Sequence, residues 1–187
     1  IVFGSLPKVE WIDISNNNIH FWTTNYGDED VASLKKLIAH HNEIQGLKAI
    51  RNFSGLEILD LGFNRLEKLN GLGNLTTLKE LHLNNNPIKD FEEISKLTDL
   101  EYLDISNLNI IHYKFDFLQS LPKLKYLGLQ GARLNDLSGL THLTALTGLD
   151  LSGIGPFEKG VRKVPADLNG IDKLSNLEQL ALARGIL

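Results

Sequence analysis

The sequence contains no cysteine. Disulfide bonds, thiolate metal sites and cysteine nucleophiles are therefore excluded. Positive charge is also scarce, because 19 Lys and Arg stand against 23 Asp and Glu and leave a net charge of −4. Proteins that bind nucleic acid need clustered Lys and Arg to meet the phosphates, so this balance predicts no nucleic-acid partner.

Long apolar stretches are missing as well. No window approaches 18 apolar residues free of charge, so the sequence predicts no membrane span. No basic start followed by an apolar run marks a signal peptide. Because the chain begins at Ile1 rather than Met, we expect a fragment of a soluble protein, either cytoplasmic or secreted by a bacterium. The organism and the compartment stay open.

What the sequence does contain is leucine at fixed intervals. The frame L-x-x-L-x-L-x-x-N-x-L fits eight times, with first residues near positions 9, 34, 56, 78, 100, 124, 146 and 177. We number these repeats one to eight, and the positions of the frame first to eleventh. Eight matches in register predict a single domain of stacked repeats over residues 1–187, without capping segments at either end.

Each repeat has two parts with different periodicity. The L-x-L centre of the frame alternates with period two, which is typical of a short strand with one buried face. Between frames the apolar residues recur at every third position, as in Ile88, Phe91, Ile94 and Leu97. That spacing favours 3₁₀-like return segments. The predicted fold is an α/β leucine-rich repeat solenoid, with a curved parallel sheet on the concave face and 3₁₀ or short helical segments on the convex face.

The ninth frame position holds asparagine in the first four repeats, at Asn17, Asn42, Asn64 and Asn86. A side-chain amide both donates and accepts hydrogen bonds, so we expect each of these residues to be buried and to satisfy backbone groups in its turn. Other residues replace asparagine in the last four repeats, at Leu108, Ala132, Ile154 and Gly185. Water or backbone contacts must satisfy those turns.

Three return segments are longer than the others. Residues 20–33 include the acidic run 28–30, which favours the start of a short helix. Residues 111–122 have room for about one or two helical turns before Pro122. Residues 155–168 are rich in Gly and Pro, which indicates a loop.

The stretch LTTLKELHLNNNPI, from Leu75 to Ile88, carries a family resemblance, and LTHLTAL from Leu140 repeats its style. Residues 47–151 resemble the 22-residue class of leucine-rich repeats, which includes the bacterial internalins and the leucine-rich regulatory subunit of protein phosphatase 1. The resemblance implies a solenoid that binds a protein on its concave face. It leaves both subfamilies open.

The frame predicts which side chains project from the concave sheet, namely those at its third, fifth, seventh and eighth positions. Eight of these residues are the candidate protein-binding site: Trp11, Ile58, Phe63, Glu80, His82, Tyr102, Asp104 and Tyr126. Aromatic residues on an open surface are typical interface anchors, and charged or polar neighbours orient a partner.

Two further features of this face bear on the partner. The fifth position carries an acidic stripe, which favours a basic patch on the partner, at Asp13, Asp60, Asp104 and Asp150. Gly128 and Gly148 lie beside Tyr126 and predict a shallow space into which a partner side chain inserts.

The same face holds ingredients of nucleophilic catalysis in Asp60, His82, Asp104 and Ser106. An open sheet offers neither an oxyanion hole nor an enclosed pocket, so we interpret these residues as a solvated polar cluster and expect no catalytic residue. His40 and His82 lie two strands apart, about 10 Å, which is too far to share a metal ion. We therefore expect no metal and no cofactor.

The predicted function is that of a protein-binding module. The alternative is the substrate-recognition region of a larger enzyme or of a bacterial effector, with a catalytic domain outside this chain. The full-length reading frame would discriminate between them. The identity of the partner and the oligomeric state stay open.

Overall fold

The computed structural model of the chain describes residues 2–3, 6–21, 23–24, 31, 33–108, 115–132, 137–153, 157–158, 161–162, 168 and 170–183. Within them, eight parallel strands form one open sheet and follow one another across it in chain order. Each strand occupies the third to fifth positions of its repeat: Trp11–Asp13, Lys36–Ile38, Ile58–Asp60, Glu80–His82, Tyr102–Asp104, Tyr126–Gly128, Gly148–Asp150 and Gln179–Ala181.

Neighbouring strands pair residues at equal frame positions, so that Leu37 faces Leu59 and Leu59 faces Leu81. This register stacks the fourth-position leucines behind the sheet, where those of repeats two to seven are at most 2% exposed. Because each leucine is covered by the repeats on both sides of it, burial falls at the last described strand, where Leu180 is 41% exposed.

Short 3₁₀ turns make the return segments. They span Ile50–Asn52, Leu72–Asn74, Glu92–Lys96, Asp116–Ser120, Ser138–Leu140 and Ile171–Lys173. Their hydrogen bonds join residues three apart, as from the N–H of Leu72 to the carbonyl of Leu69 at 2.9 Å. Every third side chain therefore points inward, and Phe91 and Ile94 are buried. The predicted fold class is confirmed.

The predictions for the three longer return segments have different outcomes. The helical turn expected within 111–122 is present at Asp116–Ser120, as a 3₁₀ turn. The loop expected at 155–168 contains two short antiparallel strands, Phe157–Glu158 and Val161–Arg162. The acidic run 28–30 lies outside the described residues. A further parallel pair, Val2–Phe3 with Thr23–Thr24, lies outside the repeat frames.

Each buried asparagine joins two repeats. The Oδ1 atom of Asn64 accepts the backbone N–H of Ile44 in the preceding repeat at 2.9 Å. Its Nδ2 atom donates to the carbonyls of Ala39 and Leu61, both at 3.0 Å. The asparagines of repeats two and four make the corresponding bonds. These three side chains are 4–8% exposed, which confirms the prediction for them.

Asn17 in repeat one differs, because it is exposed. The prediction that it is buried is wrong. Its Nδ2 atom donates to the carbonyls of Ile14 and Ser15 in its own turn, at 3.1 and 2.8 Å. Its Oδ1 atom has no hydrogen-bond partner among the described residues, because no strand precedes that of repeat one in the sheet.

Repeats five and six lack the asparagine, and their turns keep two kinds of backbone hydrogen bond. The N–H of Asn107 donates to the carbonyl of Gln130 at 2.6 Å, which continues the sheet ladder past the strand. The turn of repeat six closes through a 3.0 Å bond from the N–H of Ala132 to the carbonyl of Leu129. Leu108 and Ala132 are both 2% exposed, so the replacement residues extend the apolar core.

Replacing Asn64 with alanine should lower the free energy of unfolding by about 1–3 kcal/mol, because the buried N–H of Ile44 loses its acceptor. Urea denaturation of the purified chain measures this change. Asn17→Ala is the matched control, since the same chemical change there removes bonds from an exposed turn, and it should cost less than half as much. Equal losses in the two variants would contradict a role for the amide between repeats.

Candidate protein-binding face

The eight candidate residues project from the open side of the sheet, opposite the buried fourth-position leucines. Trp11 and Phe63 are the most exposed of them, at 61% and 44%, and the other six are half-buried. Five of the six form one contiguous group on the strands of repeats four to six: Glu80, His82, Tyr102, Asp104 and Tyr126. Trp11 lies apart on the strand of repeat one, two strands from Ile58.

A row of three rings runs across repeats four to six. The ring centroids of His82 and Tyr102 are 4.8 Å apart, and those of Tyr102 and Tyr126 are 4.4 Å apart with only 7° between their planes. The tyrosines face each other across the sheet at equal frame positions. Strand spacing of about 4.8 Å therefore sets a separation that suits stacked aromatic rings. We call His82, Tyr102 and Tyr126 the ring row.

Burial raises the pKa of the Tyr102 and Tyr126 hydroxyls above the ordinary tyrosine range. For Tyr102, the negative charge of an ionised Tyr126 and then that of Asp104 add to this effect. For Tyr126, Asp150 and then Asp104 do the same. Both hydroxyls are therefore neutral near pH 7, and a hydrogen bond joins them to each other.

The space predicted beside Tyr126 is filled by neighbouring side chains, so that prediction is wrong. A Cβ atom at Gly148 would lie 2.8 Å from Cδ2 of Tyr126, and one at Gly128 would lie 2.6 Å from Oδ1 of Asp104. The two glycines make room for the tyrosine ring and the carboxylate to lean over the next strand. Gly148 accommodates the Tyr126 ring and Gly128 accommodates the Asp104 carboxylate, so neither glycine leaves an open space.

The fifth-position aspartates have a structural role that the sequence argument missed. Oδ1 of Asp104 accepts the backbone N–H of Ser106 at 2.9 Å, and Oδ1 of Asp60 accepts that of Gly62 at the same distance. Asp13 and Asp150 bond the residue two positions on in the same way. The Asp-x-Ser or Asp-x-Gly spacing is the signal for this turn. One carboxylate oxygen is thereby fixed, which holds the negative charge in place on the open face.

Two bulky residues occupy a backbone conformation that does not suit them. The eighth frame position is left-handed from repeat one to repeat seven, with φ of 53° at His41 and 54° at Phe63. Asparagine and glycine, which tolerate this conformation, occupy the position elsewhere: Asn16, Asn85, Asn107, Gly131 and Gly153. The rings of His41 and Phe63 stack on the open face with centroids 4.1 Å apart. The stacking of this second aromatic pair is seen only in the structure.

The polar groups that suggested catalysis do not assemble a nucleophile with a base. Nε2 of His82 lies 2.8 Å from Oε1 of Glu80. Ser106 is 7% exposed, and its Oγ atom accepts the backbone N–H of Gln130 at 3.1 Å. Within the residues that the structure describes, no hydrogen bond joins Ser106 to His82. These residues likewise include no group of three His, Cys, Asp or Glu side chains that could hold a metal ion.

Charges of alternating sign form a row across the sheet, at the position just before each strand begins. The sequence argument missed this row as well. The second frame position carries Lys35, Glu57, Lys79, Glu101 and Lys125 in consecutive repeats. Glu57 contacts both of its lysine neighbours, at 3.6 and 2.7 Å, and Glu101 contacts Lys125 at 2.6 Å. Hydrogen bonds from the lysines lower the pKa of both glutamates. Exposed pairs stabilise a fold little, but the alternation favours this stacking order over a shifted one.

A family model described as "Leucine Rich repeats (2 copies)" matches residues 32–74 and again residues 76–120. Those segments contain the frames of repeats two to five. The chain is a leucine-rich repeat protein. Proteins of this class are generally protein-interaction modules. No curated protein sequence matches the chain at a significant level.

Solved structures with the same fold include two internalins from Listeria monocytogenes. The internalin InlF is 22% identical with a TM-score of 0.72, over 94% of this chain and 48% of its own. Internalin C2 is 23% identical with a TM-score of 0.73, over 92% of this chain and 70% of its own. TLR13, solved in complex with ssRNA13, is 25% identical with a TM-score of 0.76, over 96% of this chain and 26% of its own. The fold is internalin-like, and the chain spans about half the length of InlF.

None of the helices in the described part of the chain has the length and apolarity needed to cross a membrane.

Gly148→Ala should displace the Tyr126 ring, because the added methyl group would lie 2.8 Å from Cδ2 of that ring. We expect the NMR signals of the Tyr102 and Tyr126 rings to shift as the stack opens. Gly46→Ala is the control, since its methyl group would meet no atom within 4 Å and should leave both rings unchanged. Unchanged ring signals in Gly148→Ala would show that the stack does not depend on the space that Gly148 leaves for the Tyr126 ring.

The raised pKa values of Tyr102 and Tyr126 make stability depend on alkaline pH. The unfolded chain ionises these hydroxyls near pH 10, whereas the folded chain keeps them neutral. Their contribution to stability is complete below about pH 10 and is lost as pH rises toward the folded-state values. Denaturation from pH 8 to 11 should show this decline, and the Tyr102→Phe/Tyr126→Phe variant should flatten it. The same decline in both proteins would contradict the assignment.

Proposed function

We propose that this chain binds a partner protein on the concave face of its sheet, centred on the ring row. The candidate contacts are the eight open-face residues defined from the sequence. The single observation that carries the proposal is the stack of Tyr102 on Tyr126, with His82 against it, on a face that no other described segment covers. Tyrosines held in place by stacking offer apolar area and a hydroxyl group at low entropic cost to binding.

The charge of the open face favours a basic patch on the partner. The third and fifth frame positions together carry five carboxylates and one lysine. Asp60 and Asp104 are fixed by their own turns, so a Lys or Arg of the partner would meet an acceptor that is already oriented. TLR13 was solved with an RNA, but negative charge on this face would repel a polyanion. We therefore infer a protein partner and no nucleic acid.

The second aromatic pair extends this binding surface toward repeat two. A left-handed bulky residue costs about 1–2 kcal/mol relative to an ordinary conformation. Such strain at an exposed position is a common mark of a functional residue. Phe63 is 44% exposed and stacked on His41, so it offers the partner a second apolar contact in addition to the ring row.

A photo-crosslinking residue in place of Ile58 tests where the partner lies. Ile58 faces the open side next to Glu80 and is not part of the ring row. The captured protein is then identified and used in purified form for affinity measurements. We expect crosslinking at this position and none when the same group replaces Lys123, which lies outside the four projecting frame positions. Capture from Lys123 alone would place the interface elsewhere.

The Tyr102→Ala/Tyr126→Ala variant should weaken binding of that partner at least about tenfold, because a truncated hot-spot tyrosine typically loses about 2 kcal/mol of binding energy. Phe21→Ala is the matched control: it removes an aromatic ring that is 67% exposed and lies outside the repeat frame. Circular dichroism checks that both variants keep the fold. Normal binding by the double variant would reject the concave-face proposal.

A further inference from the structure

A cleft opens on the return-segment side of repeats two to four. Its volume is about 930 Å³, which is within the range of ligand-binding clefts. Gln45, Gly46 and Leu47 line one part, and Asn70, Gly71 and Asn74 line another. None of its lining residues occupies the third, fifth, seventh or eighth frame position, so the cleft is separate from the proposed concave binding face.

The cleft is basic, although the protein as a whole is acidic. It is lined by Lys48, Arg51, Arg65 and Lys68, with Glu67 as the one carboxylate. Two of these charges are already neutralised by residues outside the lining, since Arg65 contacts Glu43 at 3.1 Å and Glu67 contacts Lys89 at 2.7 Å.

The remaining three cations form no salt bridge among the described residues. Lys48, Arg51 and Lys68 are exposed and form no ion pair within the part of the chain that the structure describes. Most other described lysines do contact a carboxylate within 4 Å, namely Lys35, Lys79, Lys89, Lys96, Lys123, Lys125 and Lys173. Ion pairing is therefore the rule for the described lysines, and three cations without an ion pair are grouped around this one cleft.

The walls between these cations are partly apolar. Pro87 lines the cleft, and Leu47 lies at its base with 3% of its surface exposed. A Cβ atom at Gly46 would meet nothing within 4 Å, so the glycine leaves open space above the backbone. Lysine and arginine stems add apolar area while their charged ends reach into water. The cleft therefore suits a ligand that combines negative charge with apolar groups.

We propose that this cleft binds an acidic, extended segment of a protein partner. Carboxylates of the segment pair with Lys48, Arg51 and Lys68, and an apolar side chain between them packs against Pro87 and the stems of the basic side chains. The planar guanidinium of Arg51 suits a carboxylate through two parallel hydrogen bonds. A cleft of this volume holds several residues, so a small inorganic anion would leave the apolar walls uncovered.

The test is an NMR titration of the ¹⁵N-labelled chain with the acetylated peptide Glu-Leu-Asp-Leu-Glu-Leu-Asp. We expect the largest shifts at the amides of Gly46 and Gly71, and weaker binding as salt is raised. The Lys48→Gln/Arg51→Gln/Lys68→Gln variant should lose about tenfold in affinity, because each exposed ion pair contributes up to a few-fold. The matched control Lys96→Gln/Lys123→Gln/Lys125→Gln removes the same charge outside the cleft and should bind normally.

Three results would overturn the proposal. They are no binding at millimolar peptide, equal losses in the two triple variants, and equal affinity for inorganic phosphate at the same amides. Thermal unfolding of both triple variants confirms that they fold. The Tyr102→Ala/Tyr126→Ala variant should bind the peptide as the unmodified chain does, so failure here and failure of the concave-face proposal are distinguishable.

Discussion

The structure depends on the fact that one repeat cannot bury its own leucines. A three-residue strand and a 3₁₀ turn enclose too little volume for a core, so each fourth-position leucine is covered only when repeats stack on both sides. Leu59 and Leu81 are fully buried under these conditions, whereas Leu180 on the last described strand is 41% exposed. The buried asparagines serve the same stacking, because each bonds backbone groups of two repeats.

This stacking also decides what the surface can do. In-register pairing aligns equal frame positions in columns that run across the sheet. Residues 22 or 24 apart in sequence therefore become neighbours on adjacent strands. Tyr102 and Tyr126 stack for this reason. The alternating charges of Lys79 and Glu101 form another such column, just before the strands begin. Binding surfaces on such a fold are built from repeated positions, and substitution within a column changes the surface without disturbing the core.

Charge is distributed unevenly over the two sides of the stack. The concave face carries aspartates whose carboxylates are fixed by the turns that follow them. The return-segment side carries the unpaired cations Lys48, Arg51 and Lys68. A net charge of −4 describes neither surface. The two proposed binding surfaces therefore favour ligands of opposite charge.

The sequence by itself determined the repeat frame, the strand positions, the 3₁₀ return segments and the set of side chains on the open face, because these follow from the period of the apolar residues. It did not determine burial at the first repeat, where Asn17 matches the frame but its strand is the last one on that side of the described sheet. The sequence also did not show that side chains of the preceding strand cover Gly128 and Gly148, or that the rings of His41 and Phe63 stack. Those features depend on side-chain directions and on which atoms meet across strands, so only the tertiary structure decided them.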